Sequence, residues 1–456
     1  MSDTHAETVT FVRDTMLPEK EPPLSTVGAI GWVRDNLFSG VLNSILTILS
    51  LGFIYYVLSG ILPWVFQSVW NADSLTECRE IMVATWGDTH GHACWGVIKD
   101  RWLQLFYGFY PPYPAHPDAN FGSAPDGHWW PAYFRPNLAL ILLIGAMIPV
   151  LFSGAPRKLL YLTAAYPFIL PWLLWGGSVW VPLMVAAGFA IGYFAYVLVD
   201  RSMSSLMATI AAVLLAILWW VFAVGPVSGA LHSILNIGIA PVQSREFGGY
   251  MLAIILGVVA IGCSLPLGIL MALGRQSDLF IVKTLCVGFI EFIRGVPLIT
   301  LLFVASLLLN YFLPPGTNFD LILRVMIMMT LFAAAYMAEV IRGGLAALPK
   351  GQYEGADSLG LNYWQAQRLI IMPQALKISI PGIVNTFIGI FKDTTLVSII
   401  GLFDVIGLAS AIRADTAWNG IYWELFAFIG ALFFVVCFSM SRYSMYLERK
   451  LRTGHR

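Results

Sequence analysis

Three groups of residues in this sequence are of types, and at spacings, that do chemistry. The first is Lys392-Asp393-Thr394-Thr395, which breaks a run from Ile378 otherwise polar only at Ser379, Asn385 and Thr386. Ionisable side chains at bilayer depth are costly and face a cavity or one another. A span broken by polar residues also frees backbone groups and helix ends to bind a solute. Two readings stand: a solute path through Asn385, Lys392, Asp393, Thr394 and Thr395, or a packing site in which Lys392 and Asp393 neutralise each other or reach the interface. The second group is two charge pairs, Glu291 with Arg294 and Glu339 with Arg342. Each pair is three residues apart, so its members share a helix face. Both sit where apolar runs end, which suits anchoring of spans and bracing of the next loop better than solute contact. The third group is Cys78 and Cys94, with His90 and His92 between them. In an oxidising exterior two such cysteines form a disulfide. The alternation of His90, His92 and Cys94 also suits a metal on an extended strand, but no fourth ligand follows, and no metal site is assigned. Cys263, Cys286 and Cys437 lie in or beside apolar runs and read as small packing residues.

These groups must be positioned by helices in a membrane. The chain has 456 residues, of which 58% are apolar and 11% charged, against roughly 25% charged in soluble domains. Several runs reach the roughly 20 apolar residues that cross a bilayer as a helix. Residues 41–66, 138–152, 159–175, 179–197, 206–224, 250–273, 296–313, 321–341, 378–405 and 421–440 are the expected spans, about ten in all. The fold class is therefore all-α and polytopic. A formal net charge of zero gives no bulk attraction for nucleic acid. The first 38 residues lack the order of a signal peptide and read as a polar tail, helical around 24–36.

Orientation follows from basic residues in short loops. Arg157, Lys158, Arg201, Arg275, Lys283, Arg294, Arg342, Lys350, Arg368 and the tail from Arg442 all fall on one side if the N-terminus is cytoplasmic. On the opposite side the short loops after the fifth and ninth spans hold one basic residue each, Arg245 and Arg413. Ten spans then put both termini in the cytoplasm and residues 67–137 outside. That outer segment is rich in aromatic residues, proline and glycine, and Trp129 and Trp130 suit interfacial anchors. The chain changes texture near 228–247. Before it, five spans carry few charges; after it, charged and small polar residues recur.

The polar segment Glu354–Pro373 reads EGADSLGLNYWQAQRLIIMP. Acidic residues open it, as suits a helix N-terminus. Gly360 interrupts it, a residue tolerated where a turn demands it. Leu359, Leu361, Tyr363, Trp364 and Leu369 make a partial apolar face. Pro373 is expected to stop the segment and set up the next span. A helix–turn–helix on the inner membrane surface, with one face free, is either a docking element or an amphipathic connector.

Glu354-Gly355-Ala356, three residues, Gly360, nine residues and Ile370-Ile371-Met372-Pro373 resemble the cytoplasmic coupling loop of ABC-importer permeases. That loop runs Glu-Ala-Ala, three residues, Gly, nine residues, Ile-x-Leu-Pro. Gly355 and Met372 depart from it. Around it stand ALGRQS (272–277), EFIRGVPLI (291–299), AYMAEVIRGGL (335–345), KGQYEGADSLGL (350–361) and FKDTTLVSIIG (391–401). Together these resemble the polar-amino-acid branch of such permeases over about residues 248–447, with Val296 where a threonine is common. The first half, with its CRE…ACW outer segment, is similar to the long permease subunit of general L-amino acid importers in Gram-negative bacteria.

The resemblance implies a division into a cytoplasmic tail (1–40), a five-span extension (41–247) holding the outer segment 67–137, and a type I ABC permease domain (248–447) with a coupling loop at 343–374. A short tail (448–456) follows. It implies an inner-membrane subunit that is no enzyme and moves L-amino acids. A separate ATPase would grip residues 352–373, with Glu354, Gly355, Ala356, Gly360 and Pro373 shaping the contact. The implied partners are a second, different permease subunit, two ATPase subunits that bind ATP and Mg, and a periplasmic amino-acid-binding protein. No cofactor is implied in this chain, which has no Gly-x-x-x-x-Gly-Lys-Ser/Thr phosphate loop. On this reading Asp393 would receive the substrate ammonium, and Asn385, Thr394 and Thr395 its carboxylate. A permease for another solute and a secondary transporter remain as rivals. The latter calls for inverted repeats and several intramembrane carboxylates, and Asp393 is the clear candidate carboxylate here.

Overall fold

The computed structural model describes residues 28–112, 132–152, 154–308 and 320–451. Trp129, Trp130 and the outermost residues of both tails lie outside them. The described helices, in chain order, are α1 (Gly28–Leu37), α2 (Val41–Phe66), α3 (Leu75–Trp86), α4 (Gly96–Tyr107), α5 (Phe134–Leu151), α6 (Leu160–Trp175), α7 (Trp180–Asp200) and α8 (Met207–Ile234). They continue with α9 (Gly249–Arg275), α10 (Phe280–Gly295), α11 (Leu298–Leu308), α12 (Leu321–Ala346), α13 (Lys350–Ser358), α14 (Tyr363–Ile400), α15 (Val405–Ala414) and α16 (Trp423–Leu451).

Among the described residues, eight helices are long and apolar enough to cross a membrane: α2, α5, α7, α8, α9, α12, α14 and α16. The two other expected spans differ from simple rods. Residues 280–308 form a pair bent by 104° between α10 and α11. Val296 is extended there (φ −112°, ψ 133°) ahead of Pro297, as proline disfavours the helical region for the residue before it. The expected span from Val296 therefore starts at a corner. Helix α6 has 16 residues, with Pro167 and Pro171 inside. At 1.5 Å per residue it reaches about 24 Å, short of a hydrocarbon core of about 30 Å.

The chain divides into two compact units, residues up to Val69 with Arg79–Ala93, and Trp70–Cys78 with Cys94 onward. In the first, His92 stacks on Trp86 at 4.4 Å. Its Nε2 lies 3.7 Å from Asp88 and its Nδ1 3.1 Å from the Gln67 carbonyl oxygen.

In the second unit α12 is the central rod. It packs along α9 and against α14, and α14 packs on α16. Ile322, Val325, Met329, Ala333 and Met337 of α12 are wholly buried. Asp320 caps it, accepting from the Ile322 and Leu323 amides at 2.9 and 3.2 Å, which satisfies donors the helix leaves free. Helices α5 and α6 pair, as do α7 and α8. Arg135 at the start of α5 is buried and donates to the carbonyls of Leu173 (2.8 Å), Leu174 (3.1 Å) and Ala240 (2.9 Å). Its charge thus sits on the negative C-terminal end of α6.

The segment around α4 is tied to residues 403–424. Trp418, fully buried, donates to Asp100 at 2.8 Å, and Arg101 pairs with Asp415 at 2.9 Å. The Cys94 amide donates to Glu424 Oε1 at 2.9 Å. Beyond α4 the backbone crosses itself. Gly108 (φ +68°) lies against Gly248, where a Cβ would overlap the Gly248 backbone. A Cβ on Gly248 would sit 2.6 Å from the Phe403 carbonyl oxygen.

Candidate functional site

The segment 350–373 is a helix–turn–helix of defined chemistry. Helix α13 ends in a left-handed residue, Gly360, at φ +68°. The Leu361 amide donates to Ala356 O at 3.3 Å and the Gly360 amide to Asp357 O at 2.9 Å. These two bonds are the Schellman termination, which satisfies carbonyls that a helix end would leave orphaned. Two residues later Asn362 opens the next helix. Its Oδ1 accepts from the Gln365 amide at 2.9 Å, while Gln365 Oε1 accepts from the Asn362 amide at 3.0 Å. This reciprocal pair is a capping box with Asn and Gln in its two places. Both ends of the turn are therefore fixed by the local sequence.

Of the loop residues expected to shape a contact, Glu354, Gly355 and Gly360 are exposed and Ala356 is buried. Leu359, Tyr363, Trp364 and Leu369 are each more than half exposed. Pro373 does not stop the segment. Residues 367–371 widen into a π turn and the helix runs on as one rod to Ile400. Proline has no N–H to give the preceding turn and its ring crowds the carbonyl four residues back; the wider turn accommodates both. Gln374 Nε2 then donates to Ile370 O at 2.9 Å and to Gln352 Oε1 at 2.8 Å, which ties α13 to α14.

The polar group expected to break the ninth span lies late in α14. Its α-helical part ends at Asp393, and Thr394–Ile400 tighten to a 3-10 helix that closes at Gly401 (φ 89°). Asn385 and Lys392 are exposed, Asp393 and Thr395 half-buried, and Thr394 fully buried. Thr394 donates to Phe391 O at 2.7 Å and Thr395 to Lys392 O at 2.9 Å. Asn385 and Lys392, seven apart, share one face of the rod. Among the described residues no ion pair within 4.0 Å joins Lys392 and Asp393.

The two charge pairs are one cluster. Arg275, at the end of α9, reaches Glu291 at 2.9 Å and Glu339 at 3.2 Å. Arg294 lies 3.9 Å from Glu291 and 3.6 Å from Glu339. Arg342 Nε donates to Glu339 at 2.8 Å. Three guanidinium groups and two carboxylates thus join the ends of α9, α10 and α12. Arg275 was missing from the pairs read in the sequence because its partners lie 16 and 64 residues away. Arg324 was also missed. It is buried in α12 and donates to Ser306 O at 2.8 Å and Ala305 O at 3.3 Å. An arginine inside an apolar run was the available signal.

Cys78 and Cys94 are joined in a disulfide, their Cα atoms 6.2 Å apart. That bond removes Cys94 as a thiolate ligand, and among the described residues no cluster of three or more His, Cys, Asp or Glu side chains could hold a metal.

Residues 264–453 match the family described as the binding-protein-dependent transport system inner membrane component. The chain is 55% identical over 457 residues to the glutamate/glutamine/aspartate/asparagine transport system permease protein BztC of Rhodobacter capsulatus, covering all of both chains. It is 38% identical to the inner membrane amino-acid ABC transporter permease protein YhdY of Escherichia coli, over 93% of this chain and 94% of that one. A shorter relative, the glutamate/aspartate import permease protein GltK of Escherichia coli, is 30% identical and aligns over 46% of this chain but 96% of its own.

Proposed function

The chain belongs to the family of amino-acid ABC transporter permeases, and on that premise we propose that it is the membrane subunit of an importer that admits glutamate, glutamine, aspartate and asparagine. The substrate class rests on identity with BztC along the whole length. The orientation rests on the basic loops: both termini and residues 343–374 are cytoplasmic, and residues 67–137 face the periplasm of a bacterial inner membrane. Two copies of an ATPase bind ATP and Mg, a different permease subunit completes the path, and a periplasmic binding protein delivers the amino acid.

The observation that carries the coupling role is the locked turn at Gly360. The exposed face of Leu359, Tyr363, Trp364 and Leu369 is the surface an ATPase cleft covers. The turn cannot flex without breaking the Schellman bonds or the capping box, and Gln374 ties both its helices together. A displacement imposed on this face therefore moves α14 as a rod. At the far part of that rod Asp393 takes the substrate ammonium. Thr394 has turned inward, so Asn385, Lys392 and Thr395 meet the carboxylates.

The test is uptake of labelled L-glutamate by cells carrying every gene of the transporter, with Gly360→Arg in this chain. A left-handed backbone strains any L side chain there. Uptake should fall at least tenfold, with normal membrane insertion and loss of the co-purifying ATPase. Unchanged uptake would reduce the segment to a connector.

A further inference from the structure

A cavity of about 350 Å³ lies among α4, α5, α6 and α9. That is the size of a small ligand pocket. Leu143, Leu170, Leu174, Met251 and Ile255 line it. Its polar groups are few and almost all satisfied. The Tyr166 hydroxyl donates to Ala139 O at 3.1 Å. The Tyr107 hydroxyl donates to Asn137 Oδ1 at 2.6 Å. This leaves Asn137 Nδ2, on a side chain 5% exposed, with no partner among the described residues. A buried donor left unpaired loses its hydration with nothing in return. A buried water makes two to four hydrogen bonds, and beside this donor the lining side chains offer only the spare lone pairs of the Tyr107 and Tyr166 hydroxyls and of Asn137 Oδ1. An occupant that suits this wall brings one acceptor and is hydrocarbon elsewhere.

The depth of the donor narrows the chemistry further. Asn137 is the fourth residue of α5, a membrane-length helix. Ile141 and Ile144 also line the cavity and are 49% and 56% exposed. They lie one and two turns on, about 6 and 10 Å deeper along the helix. The slot therefore opens along the lipid-facing side of a span, with its donor at the interfacial end and its apolar length running inward. A glycerolipid has that polarity profile: an ester carbonyl, which accepts and cannot donate, at the head of an acyl chain.

We propose that this cavity binds one acyl chain of a membrane glycerolipid, whose ester carbonyl accepts from Asn137 Nδ2. The lipid would fill the seam between the first half of the chain and α9.

The test uses the complete transporter, purified and stripped of lipid in detergent. Dioleoylphosphatidylglycerol is added in one arm and its diether analogue, which lacks the carbonyl, in the other. Native mass spectrometry counts the lipid retained. One diester lipid per chain should be held at concentrations where the diether is held at least fivefold less. Asn137→Leu should lower diester retention to the diether level. Leu143→Trp, which fills the slot, should abolish both; where it fails to fold, the near-isosteric Asn137→Leu decides. Equal retention of the two lipids by the unaltered protein, or no lipid retained at all, would overturn the proposal. So would full ester selectivity in Asn137→Leu.

Discussion

At residue scale, Asp404 shows a carboxylate held where charge is costly. It lies between α14 and α15, fully buried, and caps α15 by accepting from the Ile406 and Gly407 amides at 3.2 and 2.9 Å. Burial outweighs those two donors and pushes its pKa up to about 6. Between the ordinary carboxylate value of 3.8 and about 6, the folded protein holds a proton that the unfolded chain has released. Stability from this group is thus complete below pH 4 and lost as pH rises through 6. The loss is on the order of 3 kcal/mol, at 1.36 kcal/mol per unit. Asp404→Asn keeps an acceptor for the cap and carries no charge. Thermal unfolding of the purified complex should show a decline between pH 4 and 6.5 that this variant lacks. Parallel curves for the two proteins would mean that the carboxylate is solvated. Asn137 poses the same problem of polar burial, with a partner from the membrane in place of a proton.

At the scale of the element, the α13–α14 unit was largely legible. The acidic start, Gly360 and the apolar residues after it gave two helices and a turn, because each step rests on a local rule of capping or backbone freedom. Pro373 was misread as a stop. Local rules price proline against an α-helix, and here a π turn relieves the conflict within the same rod. The link through Gln374 was invisible, since amide pairs 22 residues apart leave no periodic trace. That link makes a distinct prediction. Gln374→Ala should leave α13 folded and the ATPase attached, yet loosen the tie between α13 and α14. Basal ATP hydrolysis should persist while uptake per ATP falls severalfold in proteoliposomes. An unaltered ratio would show that α14 moves without this bond.

At the scale of the whole molecule, the sequence revealed spans but not which halves touch. The ties between α4 and residues 403–424 cross more than 300 residues, and no periodicity reports contacts of that range. The crossing of Gly108, Gly248 and Phe403 is their tightest point. Gly248→Val should block it, since a Cβ there meets the Phe403 carbonyl oxygen at 2.6 Å. Gly262, inside α9, has nothing within 4 Å of where a Cβ would stand and serves as the control. Folded protein recovered from membranes should fall severalfold for Gly248→Val and hold steady for Gly262→Val. Equal recovery would mean that the backbone strands part at little cost.

The same crossing sets an order of events during synthesis. Residues 94–108 leave the ribosome early, whereas Phe403, Asp415, Trp418 and Glu424 arrive some 300 residues later. At about 5–20 residues per second, the early segment waits from roughly 15 s to a minute without its partners. Throughout that interval Asp100 and Arg101 have each other but neither Trp418 nor Asp415, and the segment lies within reach of the cell's quality-control machinery.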